Sequence, residues 1–123
     1  MKVLVVDDSL LMLHALVSIL SEAGITSIMQ ATDGEEAVRK VAEEAPDLVF
    51  MDWIMPNMSG IEAVLQIRAG GSQVPIIMCT SKSDKERVIE AIKAGANNYV
   101  VKPFDPEVIM RKIDETMAKA ASN

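Results

Sequence analysis

Cysteine is nearly missing from this chain. Cys79 is the only one among 123 residues, so no internal disulfide can form. No secretory leader is legible before the first acidic residues, and the two features together point to a reducing, cytoplasmic setting. Long apolar runs are missing too. Met1 to Val6 is apolar apart from Lys2, but Asp7 and Asp8 end it far short of the ~20 residues that a spanning helix needs. No membrane role is expected. Basic residues are in deficit, twelve Lys and Arg against eighteen Asp and Glu for a formal charge of -6. A phosphate backbone is bound by a basic footprint, so nucleic acid is not an expected partner. Histidine occurs once, as His14 within a helical pattern, and no serine-histidine or cysteine-histidine pair stands out. Acyl transfer by a base-activated nucleophile is therefore disfavoured. Flexible sequence is limited to Gly70-Gly71-Ser72, too short for an interdomain linker, so residues 1–123 read as one domain.

With 50% hydrophobic and 24% charged residues the composition is that of a globular protein. Apolar runs of strand length recur at Val3 to Val6, Leu48 to Met51, Pro75 to Thr80 and Tyr99 to Val101, with a weaker one at Ser27 to Ala31. Between them, apolar residues three and four apart predict helices over Leu10 to Ala23, Glu35 to Glu44, Gly60 to Ala69, Lys85 to Ala94 and Pro106 to Ala118. Ser59 with Glu62, Ser83 with Glu86 and Asp33 with Glu36 have capping-box spacing, Asp105-Pro106 suits a helix start, and Gly24, Gly70 and Gly95 suit helix ends. Strands apolar on both faces and joined through helices belong in a parallel sheet covered on both sides. The expected fold is α/β, a (βα)5 three-layer sandwich around a single five-stranded parallel sheet.

In such a sheet ligands bind beyond the carboxyl ends of the strands. Those ends carry polar groups: Asp7 and Asp8 after the first strand, Asp52 after the third, Thr80 after the fourth and Lys102 after the fifth. The spacings, 44 residues from Asp8 to Asp52, 28 more to Thr80 and 22 more to Lys102, are about whole numbers of βα units. Charge is concentrated accordingly, with ten acids and three bases in the first sixty residues. Three carboxylates brought together repel by roughly 4 kcal/mol per pair at ~4 Å and an effective dielectric of ~20, more than one lysine can balance. A divalent cation makes the formal sum zero. Oxygen-only ligands favour a hard ion such as Mg²⁺, which keeps waters for an incoming phosphate. Asp52, on the central strand, is then the expected nucleophile, because an ionised carboxylate needs no base to activate it, with Mg²⁺, Lys102 and Thr80 gripping the phosphoryl oxygens.

Several segments carry a resemblance: Val5-Val6-Asp7-Asp8-Ser9, the run Met51-Asp52-Trp53-Ile54-Met55-Pro56-Asn57-Met58-Ser59-Gly60, Thr80-Ser81, and Ala94 through Lys102-Pro103-Phe104. Taken together they are highly specific, and the whole chain resembles a response-regulator receiver domain, most closely the stand-alone chemotaxis type. The resemblance implies a flavodoxin-like strand order 2-1-3-4-5. It implies that Asp52 accepts phosphate from a histidine kinase or a histidine phosphotransfer protein. Asp8 and Asp52 would bind Mg²⁺ directly, Asp7 through water, and the Ile54 carbonyl would be a further ligand. Thr80 and Tyr99 would be the switch residues, altering the face built from the fourth helix, fifth strand and fifth helix and so the binding of a downstream protein such as a flagellar motor switch. The Lys102-Pro103 bond is expected to be cis. A phosphorelay intermediate and the receiver part of a larger regulator remain open as alternatives. A Mg²⁺-dependent aspartyl-phosphate hydrolase would want a second acid two residues after the nucleophile, where this chain has Ile54, and a capping insertion.

Ile54 and Lys82 depart from common versions of the pattern. Apolar Ile54 cannot orient an attacking water, which predicts a persistent phosphoryl group. Leu10, Leu11, Leu13 and His14 are expected to leave an apolar surface near the acceptor for a helical partner, unless some of them pack into the core. Cys79 and most of the nine methionines read as core residues.

Overall fold

The structure is a computed structural model that describes residues 1–81 and 85–121. Five strands and five helices alternate along it: β1 (Lys2–Val6), α1 (Leu10–Glu22), β2 (Ser27–Ala31), α2 (Gly34–Glu44), β3 (Leu48–Asp52), α3 (Gly60–Ala69), β4 (Ile76–Thr80), α4 (Lys85–Ala94), β5 (Asn98–Val101) and α5 (Pro106–Ala121). All strand pairs are parallel, in the order β2-β1-β3-β4-β5.

Strand periodicity explains the layering, because alternate side chains leave opposite faces of the sheet. Leu4, Val6, Val49, Met51, Ile76 and Met78 pack on one face with Ala37 and Val41 of α2, Ala63, Val64 and Ile67 of α3, and Ala91 of α4. Val3, Val5, Leu48, Phe50, Ile77, Cys79 and Val100 fill the other face with Leu13, Leu16 and Leu20 of α1 and Ile109 and Ile113 of α5. Every residue of β3 and β4 is buried, as a central parallel strand requires.

Capping agrees with the sequence signals at three helices. Asp33 Oδ1 accepts from Glu36 N at 2.8 Å, Ser59 Oγ accepts from Glu62 N at 3.2 Å, and Asp105 Oδ1 accepts from Glu107 N at 2.9 Å. The Ser83 cap, like Lys82, lies outside the described residues. At the end of α3 the left-handed residue is Gly71 (φ 94°), while Gly70 stays right-handed at φ -76°. Helix α5 runs three residues past its expected end because Lys119, Ala120 and Ala121 offer no stop signal.

The residues of α1 divide between core and surface. Leu13 is 1% exposed in the α1 and α5 cluster and contributes no apolar surface, whereas Leu10 and Leu11 are 62% and 75% exposed. Met55 and Met58, in the loop after β3, are buried against α2 and α3 rather than presented outward.

Candidate functional site

Register brings the polar strand ends to one edge. Val6 of β1 pairs with both Ala31 and Met51, Asp52 pairs with Cys79, and Thr80 pairs with Val101, so Asp7, Asp52, Thr80 and Lys102 lie side by side. Asp7 is buried. Its Oδ1 accepts from Ser9 N at 2.9 Å and its Oδ2 from Lys102 Nζ at 2.7 Å. Ser9 in turn caps α1 by accepting from Met12 N at 3.3 Å, so one short segment fixes both the helix start and the carboxylate.

Asp52 is 7% exposed at the end of the central strand, and its Oδ1 accepts from Trp53 N at 2.9 Å and from Lys102 Nζ at 2.9 Å. The loop that follows is closed by Gly60, whose N–H donates to the Trp53 carbonyl at 2.8 Å. A Cβ at Gly60 would stand 2.1 Å from the Asp52 carbonyl oxygen, so only glycine lets α3 begin this close to the acidic edge. Lys102 reaches inward from β5, its backbone N–H donating to the Thr80 carbonyl at 2.7 Å, and the bond to Pro103 is cis.

The donor set suits a hard cation. Asp7, Asp8 and Asp52 each offer a carboxylate oxygen, and the three oxygens lie within 4.8 Å of one another. Asp8 is exposed while its two companions are buried, which leaves the cluster open to solvent on one side. Two buried carboxylates with only one ammonium between them are a charge imbalance that a divalent ion relieves. Electrostatics register it: burial pushes the Asp52 carboxyl up to about 6, the Lys102 hydrogen bond opposes that rise, and the Asp7 charge adds to it. For Lys102, burial acts downward, but its hydrogen bonds to Asp7 and Asp52 and the charges of both together hold the ammonium above its usual pKa.

Beside the carboxylates is a cavity of about 180 Å³ lined by Asp52, Trp53, Ile54, Thr80, Ser81, Arg87 and Lys102. The structure thus gathers the expected Asp7, Asp8, Asp52, Ile54, Thr80 and Lys102. Tyr99 is elsewhere: half-buried on β5, it does not line this cavity, and the Lys112 ammonium lies 4.3 Å from its ring centroid. Arg87, whose guanidinium is 5.6 Å from the Trp53 ring centroid, was not singled out by the sequence reading. Nothing in the sequence marks it, because its relation to Trp53 exists only once α4 packs beside α3. The cap at Ser9 is a further role beyond its motif, and its place directly before the first apolar helical residue is the signal that finds it.

Residues 3–114 match the family described as the response regulator receiver domain. The chain belongs to the response regulator receiver family. Among similar receiver proteins, the chemotaxis protein CheY1 of Helicobacter pylori is 43% identical, covering 93% of this chain and 94% of its own. The chemotaxis protein CheY of Thermotoga maritima is 41% identical, covering 93% and 95%. Of solved structures, CheY4 of Vibrio cholerae superposes with a TM-score of 0.87 at 33% identity, covering 94% of this chain and 97% of its own. The CheY of a CheX-CheY-BeF3-Mg complex from Borrelia burgdorferi superposes with a TM-score of 0.89 at 30% identity, covering 94% and 88%. These relatives are chemotaxis proteins, each of nearly the same length as this chain. Its five parallel strands in the order 2-1-3-4-5 are the flavodoxin-like order of that family. Among the described residues no helix is long and apolar enough to cross a membrane.

Proposed function

We propose that this receiver domain is phosphorylated on Asp52 by a phosphohistidine donor and that the modified form binds its output partner differently. The observation that carries the reading is the placement of Asp52: a buried carboxylate on the central strand, bonded to Lys102 and the Trp53 N–H, beside a cavity large enough for a phosphoryl group. With Oδ1 held by those two donors, the second oxygen is the attacking atom. A phosphorus–oxygen bond forms to it as the phosphorus–nitrogen bond of the donor breaks. The electron pair of the broken bond stays on the imidazole nitrogen, which takes up a proton from solvent. Hydrolysis reverses the ester: water oxygen bonds phosphorus and the Asp52 carboxylate leaves.

Asp8 and Asp52, with Asp7 behind them and the Ile54 carbonyl at the rim, would hold Mg²⁺. When bound it neutralises charge on the transferring oxygens. Lys102 orients Asp52 and shields its charge from Asp7. Thr80, which lines the cavity, hydrogen-bonds a phosphoryl oxygen in this reading. Tyr99, outside the cavity, reports the change to the α4, β5 and α5 face through repositioning, a population shift driven by contacts that differ between the two states. The partners are a histidine kinase or histidine phosphotransfer protein upstream and a motor-type switch protein downstream, in keeping with the chemotaxis names of the relatives.

Incubation with Mg²⁺ and acetyl phosphate, followed by intact mass, tests the acceptor. A Mg²⁺-dependent gain of one phosphate in wild type and none in Asp52→Asn is expected. An equal gain in both proteins overturns the assignment.

A further inference from the structure

Esterification changes the charge of the cavity. A single negative carboxylate becomes a dianionic phosphoryl group, so the pocket gains one negative charge whatever else is bound. Lys102 cannot absorb it alone, since its ammonium is already shared between Asp7 at 2.7 Å and Asp52 at 2.9 Å. Among the described residues that line the cavity, Arg87 is the only other cation. It sits in the first turn of α4, and its guanidinium lies 5.6 Å from the ring centroid of Trp53, the residue next to the acceptor. Stacking engages the face of a guanidinium, whereas its N–H donors lie in the plane, so one group can rest on the indole and still meet an oxyanion.

We infer that Arg87 is a phosphoryl-contacting residue: held on Trp53 at the cavity mouth, its guanidinium supplies the positive charge that the modified Asp52 site lacks. The inference rests on the reading of Asp52 as phosphoacceptor and adds a residue to it. Planar paired donors match the geometry of phosphoryl oxygens better than a second lysine would. It also gives a structural link between modification and α4, because a contact made from the first turn of that helix ties its N-terminal end to the phosphoryl group.

Full-length wild type, Arg87→Gln and Arg87→Lys are titrated first with Mg²⁺ alone and then, at saturating Mg²⁺, with beryllofluoride as a phosphoryl mimic. The sole tryptophan, Trp53, provides the fluorescence signal. Arg87→Gln is expected to weaken beryllofluoride binding about three- to tenfold and to flatten its dependence on KCl. Its Mg²⁺ affinity should stay the same or tighten, since a positive charge has left an acidic cup. Arg87→Lys should recover part of the loss. Unchanged beryllofluoride affinity in Arg87→Gln, or an equal loss for Mg²⁺ and for beryllofluoride, overturns the role of Arg87 and leaves it a packing residue on Trp53. A wild type that binds Mg²⁺ but no beryllofluoride overturns the phosphoacceptor reading and this inference with it.

Discussion

The ammonium of Lys102 donates to Asp52 Oδ1 at 2.9 Å although fifty positions separate the two residues. The bond holds the central carboxylate in place but does not make it an ordinary surface acid. Burial dominates, and the Asp52 carboxyl titrates near 6 instead of 3.8.

A pH dependence follows for the metal-free protein. Between about 4 and about 6 the folded chain keeps a proton on Asp52 that the unfolded chain has released, so stability falls as pH rises through that window. Above it the cost is constant. Asp52→Asn removes the cost, and at pH 7 in EDTA it should be more stable than wild type by about 1 to 2 kcal/mol after allowance for solvent screening at the rim. Urea melts of both proteins at pH 4 and pH 7 measure the difference. An Asn variant that is the less stable one at pH 7 refutes this account of Asp52.

Mg²⁺ should offset that difference. An ion that binds only the folded carboxylate cluster stabilises wild type by about 1.4 kcal/mol at ten times its dissociation constant. Asp8→Asn and Asp52→Asn should respond much less, since each removes one of the three clustered carboxylate charges. Thermal melts with and without the ion decide it. A wild-type midpoint indifferent to Mg²⁺ would mean that the cluster does not hold the metal.

Ile54 is 64% exposed and lines the cavity, where its side chain offers no hydrogen bond to an approaching water. Ile54→Asn supplies one. The phosphoryl lifetime, followed by intact mass after removal of the donor, should shorten by about fivefold, the kinetic equivalent of one hydrogen bond. Equal lifetimes in the two proteins would remove the idea.

Neighbouring leucines of α1 should behave in opposite ways. Leu13→Ala empties a site that is 1% exposed between β1, β3 and α5, at a cost of about 2 to 5 kcal/mol. Leu11→Glu, at a position 75% exposed, should change stability by no more than about 0.5 kcal/mol. Denaturation midpoints compare them directly, and similar losses would mean that α1 is rotated from the orientation described.

That contrast shows where reading a sequence stops. Helix α1 is apolar nearly all round, so periodicity could not say which of Leu10, Leu11 and Leu13 faces the sheet. Burial of Leu13 in the cluster that includes Val5 and Phe50 decided it. Arg87 was silent for a related reason, because its neighbour Trp53 lies 34 positions away and the two meet only across a packed helix. Tyr99, expected as a switch residue on the face of the fourth helix, fifth strand and fifth helix, is half-buried on β5 and does not line the cavity.

Alternating apolar runs and helical stripes determined, from the sequence alone, that strands and helices follow one another five times. Because parallel strands all end at one edge, they also determined which acids, hydroxyl and lysine share it. Only the tertiary structure decided how those groups divide the available bonds and charge: Lys102 shared between Asp7 and Asp52, Asp8 left in solvent, and a carboxyl lifted by burial. The alternation of strands and helices follows from local pattern, whereas the strand order came only with the family resemblance. Hydrogen-bond partners and desolvation depend on distances of a few ångströms between residues far apart in the chain, and those distances exist only after the layers close.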